Sequence, residues 1–467
     1  MERLQLYPSS CPNSHAAHRR FALPEDIIET VERLLLEGEP AVSRVGSGCT
    51  RFTRRLTRLF HSCTVGAANQ LSGRDSKLMT KTLREMAQER EDRVLDHPLA
   101  THSSASLGRQ RTEPEDPIRL CYQRDAHRII HSTAFRRLRY KTQVIFSPES
   151  DHVSTRVDHS LYMASIAQTV ARALGLNQDL AFAIALGHDL GHGPFGHAGE
   201  TVLDKLWKRN DPTQSFSHEL HSLRVVDRLA FRPSTDERGL NLTYEVRDGI
   251  VCHCGERTEQ QLAPRPKAGK PLDTIKHRGL MPFTMEGCVV RMVDRIAYAG
   301  RDYEDAQSVL GKLPALPRKV VRVLGADNRK IINNLVTDMI ETNLKTPERI
   351  GFSDDVFEAF GQLYEYNCKN IYFHPQLVEY AHRAENMLTT IFDFEQRELS
   401  SRRQSQWGEV TDKDSPPVRE LHRFIAKLYP RGDWPSLSQV VIDHMSLMTD
   451  RYARNFFQEI FLPKPVG

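Results

Sequence analysis

Between Gly187 and Glu200 the chain reads GHDLGHGPFGHAGE, which gathers His188, His192 and His197 with Asp189 and Glu200 in one short stretch. The apolar run Leu180 to Leu186 (LAFAIAL) just before it reads as a buried helix, so His188 and Asp189 fall at the C-terminal end of a core element. An imidazole and a carboxylate there cost several kcal/mol of desolvation unless something compensates, and a bound cation is the usual compensation. Gly191, Gly193 and Pro194 stop the helix from running on. The break lets His192, His197 and Glu200 turn back towards the same pocket. A His-Asp pair taken alone has a plainer reading, a histidine stabilised by the dipole at a helix C-terminus.

Two further segments weigh against that plainer reading. Arg156-Val157-Asp158-His159-Ser160 opens an amphipathic segment carrying Leu161, Ala164, Ile166, Val170 and Leu174. Val289 to Arg295 (VVRMVDR) is an apolar run that ends on Asp294. The order His, then His-Asp, then a distant Asp, each on a helix, resembles the ligand order of the HD phosphohydrolase superfamily. That resemblance implies one divalent metal ion (Mg, Mn, Fe, Co or Zn) held by His159, His188, Asp189 and Asp294. Imidazoles and carboxylates suit a first-row divalent ion with positions left for water and a phosphate oxygen.

The resemblance narrows when more of the chain is read. RDAHRIIHSTAFRRLRYKTQ (Arg124 to Gln143) precedes the His159 segment; Phe216-Ser217-His218-Glu219, GLNLTYE (Gly239 to Glu245), DRIAY (Asp294 to Tyr298) and MTDRYA (Met448 to Ala453) follow the central motif. In this order, from about Ser106 onward, they resemble the bacterial dGTPase-like deoxynucleoside triphosphate triphosphohydrolases. The resemblance implies hydrolysis of a dNTP to deoxynucleoside and tripolyphosphate. Beside such a metal ion, His192, Glu200 and His218 suit a proton relay in which the carboxylate orients one imidazole, and His197 suits protonation of the departing 5′-oxygen; the sequence leaves the His192 and His197 roles exchangeable. Substrate contacts implied are Gln143 to the sugar, Arg156 and Arg295 to phosphate, and Tyr298 with Asp302 around the 3′-hydroxyl. A planar guanidinium suits phosphate, which fits Arg156 chemically. Homo-oligomerisation is implied in the same way; a nucleotide activator or single-stranded DNA as a further partner, and the preferred base, are left open by the sequence.

The elements that must position these groups read as helices throughout. Tyr298 and Asp302 follow Asp294 at spacings of four and share its face. Arg124 to Tyr140, Ser215 to Leu229, Ile331 to Ile340 and Val441 to Phe457 each show helical spacing. No internal repeat and no strand-rich region is visible, so the expected class is all-α: an HD-domain helical bundle with additional C-terminal helices. Residues 118–312 read as the catalytic core, 313–467 as a helical region packed on it, and 79–117 as a lead-in and polar linker. Cys254 to Gly279, basic and proline-containing, reads as a loop over the site, and Glu398 to Pro417 as a polar loop.

Residues 1–78 differ from the rest. Pro24 to Glu37 reads as one helix, and from Pro40 to Arg74 there is no acidic residue while Arg44, Arg51, Arg54, Arg55 and Arg58 accumulate. A basic arm, a transit-like segment and a poorly ordered extension from an overlong start all fit. The last is favoured, because Met79 opens a sequence typical of the family's beginning.

Composition sets the outer bounds. Of 467 residues, 39% are hydrophobic and 27% charged, which is ample for a core. A net charge of +4 argues neither for nor against nucleic acid. Eight cysteines without C-x-x-C spacing suit a reducing cytoplasm. No apolar stretch approaches the roughly 18 residues of a membrane span. Cys252-His253-Cys254 reads as structural, since three adjacent side chains converge poorly on one ion, and His221 as ordinary surface. Two rival functions remain: another HD-type nucleotidase or phosphodiesterase, and a non-catalytic module binding nucleotides or single-stranded nucleic acid. His192, His197, Glu200 and His218 exceed what the first needs, and an intact set of four ligands argues against the second.

Overall fold

The computed structural model describes residues 81–145, 153–232, 237–254, 259–266, 272–275, 279–430, 432 and 434–462. The chain divides into two units, Met1–Thr80 and Lys81–Gly467. The helix expected over Pro24–Glu37 and the arginine-rich stretch after it lie outside the described residues. Among the described residues of the second unit, the named elements are helices apart from one antiparallel pair, β1 (Gln261–Leu262) with β2 (Ile350–Gly351). The protein is all-α.

After α1 (Leu83–Val94), the segment expected as a linker is fastened to the core. Thr101 donates from its amide (2.9 Å) and hydroxyl (2.7 Å) to buried Glu286, Ser106 donates to Glu245 (2.8 Å), and Arg109 pairs with buried Asp125. The single helix expected over Arg124–Tyr140 is two, α2 (Cys121–His131) and α3 (Thr133–Arg137). The chain breaks at Ser132, whose side chain accepts from the Phe135 amide at 3.1 Å and so caps the new helix.

The centre of the fold is α5 (Gln178–Gly187), flanked by α2, α4 (Arg156–Ala173), α8 (Tyr244–Val251) and the long α9 (Met285–Leu310). Leu180, Ala181, Ala183, Ile184, Ala185 and Leu186 are all fully buried, as expected for a helix that is apolar on every side. Asn177 starts α5 by accepting from the amides of Asp179 and Leu180 (3.1 Å each). Asp158 starts α4 by accepting from the Thr155 amide (2.9 Å) and hydroxyl (2.6 Å). Between α5 and α6 (Gly196–Asn210) the chain crosses the backbone of α7 (His218–Arg224) at Gly191. A Cβ there would lie 2.1 Å from the Ser222 nitrogen, so only glycine lets the two backbones pass.

The C-terminal region comprises α10 (Arg318–Val323), α11 (Asn328–Lys345), α12 (Asp354–Asn367), α13 (Pro375–Ser400), α14 (Pro416–Leu428), α15 (Leu437–Leu447) and α16 (Asp450–Phe461). α13 and α15 pack on α6. The one helix expected over Val441–Phe457 is again two, because Thr449 accepts from the Tyr452 amide (3.1 Å) and begins α16. No helix among the described residues is long and apolar enough to cross a membrane.

Candidate metal and acid-base site

His159 comes from the first turns of α4, His188 and Asp189 from the C-terminal end of α5, and Asp294 from the middle of α9. His159 Nε2 lies 3.0 Å from Asp294 Oδ1. His188 Nε2 lies 3.4 Å from Asp189 Oδ1 and 3.9 Å from Asp294 Oδ1. The His188 ring is fixed by Nδ1, 2.6 Å from the carbonyl of Ala185. A carbonyl only accepts, so Nδ1 carries the proton and Nε2 keeps its lone pair. That nitrogen is buried without a hydrogen-bond partner. A lone pair held against two carboxylate oxygens is unfavourable, and a cation among them turns the repulsion into coordination. His159, His188 and Asp294 lie close enough together to share a divalent ion, while Asp189, 3.4 Å from His188, is grouped as closely with His218 and His253. Burial opposes the ionised form of Asp294, yet the His159 and His188 imidazoles bring its pKa down to about 2. For His188 burial prevails and keeps the ring neutral.

Arg156 does more than the sequence suggests. Buried at the start of α4, it donates to Asp189 Oδ2 at 2.7 Å, and its other terminal nitrogen reaches the Gln143 carbonyl at 3.4 Å. Asp189 is thus gripped from two sides, by Arg156 on Oδ2 and by His192 Nε2 3.2 Å from Oδ1.

A second cluster adjoins the first. His192 and His218 stack with ring centroids 3.9 Å apart and planes 14° apart. His218 Nδ1 lies 3.0 and 3.1 Å from the two oxygens of Glu200. Burial works against a charge on His218, but Glu200 and Glu219 hold its pKa well above the usual imidazole value. His192 is pushed the other way by burial and by Arg156. His197 stands at the rim with its side chain 71% exposed, and its Nδ1 is 3.2 Å from Glu200 Oε2. All of the residues singled out by the central motif thus converge on one locality.

The residues expected around the substrate are spread along its edge. Asp302 is buried and accepts from the Tyr372 hydroxyl at 2.7 Å; burial raises its pKa to about 7. Tyr298 is also raised, by burial and by Asp294. Arg295 donates to the Glu259 carbonyl at 3.2 Å and lies over the Phe360 ring, 5.3 Å from its centroid. The side-chain oxygen of Gln143 is buried without a hydrogen-bond partner.

Two residues correct the sequence reading. His253, at the end of α8, was grouped with its neighbouring cysteines as structural. Cys252 does point away, its Sγ 4.0 Å from Asp248 Oδ1, whereas Cys254 lies beside His218 and Glu219. His253, however, faces the site, with Nδ1 2.6 Å from the Ile250 carbonyl and Nε2 3.2 Å from His218 Nε2. It repeats the His188 arrangement, a histidine ending a buried helix with its lone pair turned inward, and their ring centroids are 5.0 Å apart. The signal available was that same pattern, an apolar helical run closing on histidine. His221, read as surface, is buried, and its Nε2 meets the Ser446 hydroxyl at 2.6 Å.

A buried His/Asp cation centre in a helical bundle, with a histidine-carboxylate cluster against it, defines an HD-domain phosphohydrolase. The model of the HD domain matches residues 156–299, and that of the phosphohydrolase-associated domain matches residues 350–459. Among curated proteins, the chain is 38% identical over 384 residues to a deoxyguanosinetriphosphate triphosphohydrolase-like protein of Caldanaerobacter subterraneus subsp. tengcongensis, covering 82% of this chain and 97% of that one. A protein of the same description from Desulfatibacillum aliphaticivorans is 38% identical over 390 residues, covering 82% and 99%. One from Clostridium perfringens is 34% identical over 378 residues, covering 80% and 96%. The chain belongs to this dGTPase-like family of HD-domain phosphohydrolases.

Proposed function

We propose that the protein hydrolyses deoxynucleoside triphosphates to deoxynucleoside and tripolyphosphate. The observation that carries this reading is the second cluster: Glu200, His218, His192 and His197 add proton-handling groups beside a centre that already accounts for cation binding. The description shared by the relatives supports the substrate class. A divalent ion on His159, His188, Asp189 and Asp294 would supply positive charge to a phosphoryl oxygen and acidify a water. Arg156 keeps Asp189 oriented and adds a fixed positive charge beside the phosphates. Glu200 orients His218, which stacks on the neutral ring of His192, and this relay takes up the proton of the attacking water. His197, exposed at the rim, gives a proton to the leaving 5′-oxygen. An alkoxide leaves poorly, so this donation is worth on the order of 10²-fold or more. Tyr298 and Asp302, with Asp302 protonated near neutrality, hydrogen-bond the 3′-hydroxyl.

Attack at the α-phosphorus breaks the bond to the 5′-oxygen. In ¹⁸O-labelled water the label then enters tripolyphosphate and not the nucleoside hydroxyl. Ion-exchange chromatography and mass spectrometry of the products test this; pyrophosphate and a deoxynucleoside monophosphate as primary products would overturn it.

A further inference from the structure

The loop between α5 and α6 is held in an unusual shape by the far C-terminus. Phe195, between His192 and His197, adopts the left-handed conformation (φ 66°, ψ 26°), which costs a bulky side chain about 1 kcal/mol or more. Its amide donates to Asp450 Oδ1 at 2.9 Å. The other oxygen of the same buried carboxylate accepts from the Thr142 amide (2.9 Å) and hydroxyl (2.6 Å). Thr142 precedes Gln143, and the Arg156 amide donates to the carbonyl of Lys141 at 3.1 Å. One carboxylate from the first turn of α16 thereby joins the histidine loop to the segment that leads into Arg156.

Lys141 makes a second tie. Its buried Nζ donates to the carbonyl of His192 and, at 2.8 Å, to the carbonyl of Ser446 at the end of α15. Burial pushes the pKa of this amine down to about 7, so the side chain is a costly way to fill space that an apolar one would fill at less cost. What the lysine adds is a fixed position for the His192 backbone relative to the C-terminal helices.

We propose that Asp450 and Lys141 are positioning residues, through which the phosphohydrolase-associated domain holds His192 and His197 in register with the metal-ligand set. The proposal rests on the reading of His192 and His197 as proton-transfer groups. Neither Asp450 nor Lys141 touches the cation ligands, so at saturating metal their loss acts on turnover, and metal affinity is affected only through the contacts of Arg156 and His192 with Asp189. In Asp450→Asn the amide presents N–H groups to one end, so either the Phe195 bond or the Thr142 pair is lost.

The test compares Asp450→Asn and Lys141→Met with the unaltered protein. Bound metal at saturating concentration should be unchanged and KM for dNTP within about twofold. The expected kcat falls at least tenfold, about 1.4 kcal/mol in activation free energy. Hydrogen exchange should accelerate at residues 192–199, where the Phe195 amide has lost its acceptor. Should Asp450→Asn not fold, Thr142→Val removes one of the three bonds and is expected to lower kcat several-fold at constant KM. Unchanged kcat with unchanged exchange, or loss of metal in proportion to activity, overturns the proposal. If the unaltered protein turns over no dNTP, the reaction reading fails by itself, and exchange at residues 192–199 still decides whether the tie exists.

Discussion

His188 offers the sharpest perturbation of the metal centre, because its ring is held in one tautomer with the coordinating nitrogen aimed at two carboxylates. Replacing it with alanine removes one of four donors. Loss of a residue that merely orients a ligand typically weakens metal binding 10- to 100-fold, so loss of the ligand itself should exceed about 100-fold. The effect is readable without substrate. Metal at a hundredfold its Kd stabilises the folded protein by about 2.7 kcal/mol. With an unfolding entropy of about 2.1 cal/mol/K per residue over roughly 380 residues, that raises the thermal midpoint by about 3 °C. His188→Ala should cut this shift to about 0.5 °C or less at the same metal concentration, and elemental analysis should find no more than about half of the sites filled. His197→Ala serves as the control: its side chain is largely exposed at the rim, so both shift and metal content should persist. A His188→Ala protein that still binds metal and still gains about 3 °C on metal addition would refute the ligand assignment.

His192→Ala should retain its metal at saturating concentration while losing most dNTP turnover, and a loss of affinity well beyond the roughly 10- to 100-fold expected for a residue that only holds Asp189 would move His192 into the ligand set. A chain beginning at Met79 should fold and turn over dNTP at a near-native rate, as judged by circular dichroism and product release; a folded but inactive truncation makes residues 1–78 part of the enzyme. Asp302 has a pKa raised from 3.8 to about 7, so it favours folding most below pH 4, and that contribution is lost as pH rises through 7. Asp302→Asn, whose amide oxygen can still accept from Tyr372, should therefore compare better with the parent at pH 8 than at pH 5 in denaturant melts; equal differences at the two pH values refute the shift.

How far the site was legible in the sequence follows from how local each residue's signal is. His188, Asp189, His192, His197 and Glu200 sit in one interrupted stretch, where glycine and proline announce that the chain must fold back. Asp294, Tyr298 and Asp302 were legible as one helix face. Helix ends were harder, because the breaks at Ser132 and Thr449 are made by single hydroxyls that accept from an amide three residues on. Hydrophobic periodicity passes straight through both positions, so the pattern alone joins what the caps divide.

The residues that were misread depend on partners remote in the chain. His253 matters because α8 packs against α5 so that two buried helices end at one place, and that packing is close enough that a Cβ at Gly187 would lie 2.6 Å from Ile250 Cδ1. His221 is buried because Ser446, more than two hundred positions later, covers it. Asp450 lay inside a recognised motif, yet its bonds to Thr142 and Phe195 span 308 and 255 positions. Nothing in the local sequence of α16 says that its first carboxylate closes a loop in the catalytic core. The same long reach gives the associated domain a physical reason to accompany the HD domain. The candidate metal ligands come from α4, α5 and α9, with Asp189 held by Arg156 and His192, whereas the histidine loop leaves α5 through Gly191 and is bonded at Phe195 to Asp450. That loop is bonded to the last helices of the chain, at Phe195 through Asp450 and at His192 through Lys141 and Ser446, so on the proposed reading its proton-handling groups are positioned only when the C-terminal region has docked.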